Sequence, residues 1–225
     1  MRIIDITGPI YEGMWEFGFP QGHFRILQLD YEFLGHRYKH EGFEGLEGMT
    51  GTYMETGATY HGYEKEIPTH KIPLEKLINL DTYVLQISLY KLFKKDGRNI
   101  IRLEDIKQAE KEIIPKFKGI LVSTGYGQSW SKKDYIEKSP FFKKEELFYL
   151  LDKNPILLGS DIPVWENKLN PEGHLDRLWS SSTILLFNCI NLEKIKKFKV
   201  KLIALPLNIL DVCDCPCRAA VIEED

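Results

Sequence analysis

Between Gly48 and His61 the chain reads Gly48-Met49-Thr50-Gly51-Thr52-Tyr53-Met54-Glu55-Thr56-Gly57-Ala58-Thr59-Tyr60-His61, which sets a phenol (Tyr53), a carboxylate (Glu55) and an imidazole (His61) within nine residues. Groups of these three types move protons near neutral pH. Glycines crowd the first 62 residues. Such density marks loops and close backbone approaches, where sites tend to be built. A second concentration of reactive atoms is Cys213-Asp214-Cys215-Pro216-Cys217. Alternate residues of an extended segment point to one face, whereas a Cys-x-x-Cys turn needs two intervening residues, so these thiols read as structural rather than zinc-binding or redox-active. His23, His36 and His40 read as surface or supporting residues. Dinucleotide, nucleotide, esterase and zincin chemistry lack their signatures: there is no Gly-x-Gly-x-x-Gly, Walker loop, Gly-x-Ser-x-Gly elbow or His-Glu-x-x-His.

The elements that must position these groups follow from apolar runs. Tyr83–Leu89, Gly119–Gly125, Pro155–Asp161, Thr183–Phe187 and Val200–Leu205 read as buried strands, and Met1–Thr7 as a short opening strand. Lys94–Asn99 is a turn; Ile106, Ala109 and Ile113 recur at helical spacing; Glu145–Leu151 is a second helix. Strands alternating with helices predict an α/β or α+β layout with a largely buried sheet. No repeat, low-complexity tract or linker interrupts the 225 residues, so one domain over 1–225 is expected. With 30 Lys and Arg against 33 Asp and Glu, the charge of -3 gives no general case for nucleic acid or an anionic membrane. The one basic cluster, Lys194 to Lys201, reads as a solvated surface. Four cysteines and no apolar leader at the start lead us to expect a cytoplasmic location, and no window is long enough for a membrane span.

Six segments in order carry a wider likeness. They are Ile3-Ile4-Asp5-Ile6-Thr7 with Pro9; the Gly48–His61 stretch; Ile72-Pro73-Leu74-Glu75-Lys76-Leu77; Ser123-Thr124-Gly125-Tyr126 with Trp130; Leu158-Gly159-Ser160-Asp161-Ile162-Pro163; and Ile203–Leu207 with Asp214–Ala219. Over nearly its whole length the chain resembles the metal-dependent cyclase and kynurenine formamidase family, whose hallmark is His-x-Gly-Thr-His-x-Asp-x-Pro-x-His. The resemblance implies a single-domain, mixed-sheet α/β fold of the swivelling β/α type, assembled as a homodimer or homotetramer with sites near the interface. It also implies a small-molecule substrate carrying an amide C–N bond or another carbonyl.

In that family the hallmark supplies ligands to one or two metal ions, and its last histidine is a general acid/base. Here the ungapped positions of these residues hold Met49, Tyr53, Glu55, Gly57 and Thr59. The downstream histidine corresponds to His174, and the downstream glutamate falls on Phe187 after a one-residue insertion. Thioether, phenol and phenyl groups suit Zn²⁺ or Mn²⁺ poorly, so no cofactor is expected; were a metal bound, Glu55 and His174 would be its donors. A second register, with two residues inserted after Glu55, sets His61 at the acid/base position. The catalytic residues expected are thus Glu55 as base, His61 or His174 as acid or orienter, and Tyr53 as donor to an oxyanion. Trp15, Phe19, Thr59, Trp165 and Phe187 are expected to contact a flat or aromatic substrate. Two alternatives stand beside this metal-free enzyme: a non-catalytic binder of a ligand or partner, and a metal-dependent arylformamidase-type hydrolase.

Overall fold

The computed structural model describes residues 1–18, 22–62, 64–95, 97–116 and 118–224. Phe19, one of the expected substrate contacts, lies outside them. In chain order the elements are β1 (Arg2–Asp5), β2 (Arg25–Phe33), β3 (His36–Glu44), β4 (Tyr53–Glu55), α1 (Ala58–His61), β5 (Leu80–Gln86), β6 (Phe93–Lys95), β7 (Arg98–Ile101), α2 (Leu103–Ala109), β8 (Gly119–Ser123), β9 (Phe141–Phe142), α3 (Lys144–Leu151), β10 (Leu157–Ser160), α4 (Leu175–Trp179), β11 (Ile184–Phe187), β12 (Lys199–Pro206) and β13 (Asp214–Glu223).

One mixed sheet runs β1-β13-β12-β5-β8-β10-β11-β4. Its middle strands β5, β8, β10 and β11 are parallel neighbours, as apolar runs joined by crossovers require. β4 pairs antiparallel with β11 and also with β13, which closes seven strands into a barrel and leaves β1 on the same edge of β13 as β4. Side chains alternate across a strand, so the wall has two apolar faces. Met54, Val84, Leu121, Leu157, Leu186, Ala204 and Ala219 belong to a cluster drawn from every strand of the ring, and this is the barrel interior. Tyr53, Leu85, Val122, Leu158, Leu185 and Phe187 face outward under α2 and α3, which contribute Ile106, Ala109, Leu147 and Leu150.

Two readings of the sequence shift in the structure. The helix expected through Ile113 ends at Ala109, with Glu110 as its cap and Ile113 exposed. The amides of Lys111 and Glu112 donate instead to the Tyr83 hydroxyl, at 3.0 and 2.9 Å, which draws the chain out of the helix. The glycine-rich first third also holds more than loops, because β2 and β3, nine residues each, form a hairpin. Two of the three thiols lie as alternation predicts, Cys215 and Cys217 buried on one face of β13; Cys213 precedes the strand and is half-buried, and none of the three is disulfide-bonded. Of the basic cluster, Lys199 pairs with Glu112 at 2.6 Å and Lys201 with Asp81. Among the described residues, no helix is long and apolar enough to cross a membrane.

Leu121 is fully buried inside the barrel. Replacing it by Ala should lower unfolding free energy by about 2–5 kcal/mol in urea titrations, with an unchanged denaturant slope.

Candidate functional site

Tyr53 and Glu55 stand two apart on β4 and project from the outer face, while Met54 between them points into the barrel. β4 is extended between Gly51 and Gly57. Gly51 has a φ of 75°, which a side chain adopts only under strain, and a Cβ there would lie 2.7 Å from Ile10 Cγ1. The register fixes the neighbours of Glu55: Leu185 on β11 and Asp214 on β13.

Glu55 is buried, and its Oε1 accepts a 2.7 Å hydrogen bond from the indole N–H of Trp179 at the end of α4. The Thr59 hydroxyl donates to the same carboxyl. Burial outweighs these donors, the Asp214 charge adds to it, and the Glu55 carboxyl is pushed up to about 7. Asp214 is also raised, by burial first and by Glu47 in the same direction, although the Cys213 thiol lies 3.8 Å from its Oδ2. A Cβ on Gly48 would overlap the Asp214 carboxylate, so glycine at 48 lets that loop pass close. The Tyr53 hydroxyl is raised well above its usual value by burial and by Glu55 and Asp214. It therefore stays protonated and can donate a hydrogen bond, but is no base.

The structure divides the expected residues into two groups. Tyr53, Glu55, Thr59, Phe187 and Trp165 come together: the Tyr53 ring stacks on Phe187 at 4.9 Å and 10°, and Phe187 meets Trp165 at 4.6 Å. His61 and His174 point elsewhere. His61 Nε2 lies 3.2 Å from Ser180 Oγ. His174, buried at the start of α4, has Nε2 3.3 Å from the Trp165 carbonyl and Nδ1 3.6 Å from Glu166. Among the described residues, no hydrogen bond joins either imidazole to Glu55 or Tyr53. Trp15 is buried in an aromatic cluster with Phe17, Trp130 and Tyr135, beside a cavity of about 20 Å³, room for one water. Trp179 and Asp214 were not among the residues expected to form the site. Tyr60 stacks on Trp179 at 5.6 Å, so α1 and α4 hold the indole between them.

The donor set does not fit the family's metal. The ligand positions carry Met49, a Tyr53 ring stacked on Phe187 and Phe187 itself, while His174 turns to a carbonyl. Among the described residues, no group of three His, Cys, Asp or Glu side chains is placed to hold an ion.

The "Putative cyclase" family model matches residues 4–167, well over half of the chain. The chain belongs to the cyclase family. Solved structures agree with that assignment in fold. A "predicted metal-dependent hydrolase" from Bacillus stearothermophilus superposes with a TM-score of 0.77 at 19% identity, over 99% of this chain and 98% of that one. Isatin hydrolase A from Labrenzia aggregata gives 0.82 at 19% identity, over 100% and 94%. Isatin hydrolase A from Ralstonia solanacearum gives 0.83 at 15%, over 99% and 92%. At these identities the likeness shows the shared fold. No curated protein sequence matches this cyclase-family chain.

Trp179→Phe keeps the stack on Tyr60 and removes the N–H from Glu55. Because that hydrogen bond favours the ionised carboxylate, the Glu55 titration should move above pH 7. The protonated-carboxyl infrared band followed against pH reads the displacement; a midpoint that stays or falls would show the indole to be a bystander.

Proposed function

We propose that this cyclase-family protein is an acid–base enzyme acting on a small amide or other carbonyl compound, with Glu55 carrying the proton. The observation behind this reading is a buried carboxyl poised near neutrality, held by Trp179 and Thr59 and set beside a second carboxyl, Asp214. A general base works best when its pKa lies near the working pH. Ionised Glu55 takes a proton from the attacking water, whose oxygen bonds to the substrate carbonyl carbon. The Tyr53 hydroxyl, which stays protonated, donates to the oxyanion as it forms. Protonated Glu55 then gives its proton to the departing nitrogen as the C–N bond breaks. The aromatic wall of Phe187 and Trp165 favours a flat substrate. Isatin, the compound in the names of two structural neighbours, is a flat cyclic amide and the natural first probe, with N-formylkynurenine as the open-chain comparison.

Thioether, phenol and phenyl at the family's ligand positions support catalysis without its metal. Turnover should then survive exhaustive chelation. Metal-stimulated turnover with stoichiometric zinc or manganese would instead establish the metal-dependent hydrolase. One observation favours a non-catalytic binder as second reading: Tyr53, Phe187 and Trp165 pack against one another with little space between them. Binding of either probe without turnover by the wild type would support it.

Two outcomes test Glu55 itself. In the wild type kcat/KM should rise with pH through an inflection near 7, and Glu55→Gln should lower it by about 10²–10⁴-fold. Stability should move the other way. Folded Glu55 binds its proton up to about pH 7, whereas the unfolded chain releases it near 4.5, so the fold holds more protons in that window and loses stability as pH rises through it. Glu55→Gln should remove a loss on the order of 3 kcal/mol and melt higher than wild type at pH 8. A variant that loses activity and stability together would mark Glu55 as structural.

A further inference from the structure

Arg98, the first residue of β7, is a buried cation that lacks a counter-ion. It is 7% exposed; Nε donates to the Ser139 carbonyl at 2.6 Å, Nη1 lies 3.5 Å from Asn167 Oδ1, and the guanidinium sits 4.7 Å from the centre of the Phe141 ring. Nη2 is buried with no hydrogen-bond partner. Among the described residues no carboxylate pairs with this guanidinium. Interior charges are normally paired, because an uncompensated one is strongly destabilising.

A second cation stands close by. Lys168 follows Asn167 in the loop after β10 and lays its Nζ 5.8 Å from the centre of the Phe17 ring, again with no ion pair among the described residues. Burial pulls the Lys168 ammonium below its usual value; exposed Glu137 opposes that and Arg98 adds to it, so the two cations feel each other. The pair borders the candidate site. The loop that carries Asn167 and Lys168 also supplies Trp165, whose ring meets Phe187, and Phe17 stands edge-on to Tyr53 at 6.3 Å. A single aromatic ring therefore separates the Lys168 ammonium from Tyr53.

We propose that the substrate is a flat monoanion, an aromatic amide or related carbonyl compound whose carboxylate is held by Lys168 with Arg98 beneath it. The inference rests on the acid–base reading of Glu55 and adds the substrate's charge. A carboxylate supplies the missing counter-ion, and its single charge matches the single net positive charge of Arg98, Lys168 and Glu137. A dianionic phosphate would leave charge unbalanced. Held at the Phe17 end of the aromatic wall, the carboxylate also orients the substrate, so that its other end meets Tyr53 and Glu55. A purely structural Arg98 accounts for the Ser139 and Phe141 contacts, but not for the unpartnered Nη2 or for a second unpaired cation beside it.

Calorimetric titration with 4-formamidobenzoate and its neutral counterpart 4-formamidobenzamide reads the preference. Wild type should bind the anion about 10–100-fold more tightly at low salt, the worth of a charge-assisted hydrogen bond, and the margin should shrink as salt rises. Lys168→Met should erase the margin with unchanged far-UV circular dichroism, because Lys168 lies on an exposed loop, and Lys168→Arg should retain it. Equal affinity for the two probes, or binding of neither, would overturn the proposal. A margin that survives Lys168→Met would place the carboxylate elsewhere and refute it as well. Glu55→Gln separates this inference from the reading beneath it: turnover of 4-formamidobenzoate should be lost while the margin in affinity persists. A wild type that prefers the anion without cleaving it would count against Glu55 as the proton carrier and for the anion site.

Discussion

The barrel is held shut by a strand of three residues that is hydrogen-bonded on both flanks, to β11 through Leu185–Phe187 and to β13 through Asp214–Pro216. The clasp extends beyond β4. Thr52 Oγ1 donates to the Asn188 carbonyl at 2.7 Å and accepts from the Gly8 amide at 2.8 Å; Asn188 Nδ2 donates to the Gly51 carbonyl at 2.9 Å. Cys217 N and Thr56 N complete it, each at 3.0 Å from its carbonyl partner. Because alternate residues of a strand face opposite ways, closing the ring puts Met54 inside and aims Tyr53 and Glu55 outward. Closure and site are one event: a slip of one residue would bury the carboxylate in the barrel and expel the methionine.

Electrostatics distinguishes two buried carboxyls of similar appearance. Asp161 accepts from the amides of Thr124 and Gly125 and from the Thr124 hydroxyl, fixing the turn after β8, yet burial still lifts it to about 6. Its donors are contiguous in sequence and belong to one turn, so its work is architectural. The donors to Glu55 come from α1 and α4, and a second acid stands across the strand pair. Among the described residues no cation offsets Glu55, and burial leaves its proton exchangeable near neutral pH. The fold retains a costly group at that point.

Much of the barrel is legible in the sequence because parallel strands buried on both faces read as continuous apolar runs, and Gly119–Ser123, Leu157–Ser160 and Ile184–Phe187 do so. The β2–β3 hairpin is less legible, since its apolar residues are diluted by charges on the alternate face and by glycines at its bends. The pairing of Glu55 with Asp214 depends on how the ring closes, and no local pattern announces a register between strands so far apart. Trp179 likewise reads as one more aromatic residue of a short helix until α4 docks. The family resemblance carries the fold correctly, while its ligand positions carry side chains with other partners: Tyr53 with Phe187, His174 with Trp165.

The double pairing of β13 also sets the order in which the molecule can be made. β1 bonds to residues 220–223 and β4 to residues 214–216, so two strands from the first quarter of the chain have no partner on that edge until β13 has left the ribosome. During synthesis Ile4, Ile6 and Met54, all buried in the finished barrel, remain without the wall that will cover them. Contacts of such long sequence separation form slowly. The nascent chain therefore carries unpaired, apolar strand edges for most of its translation, the condition in which a protein depends most on chaperones.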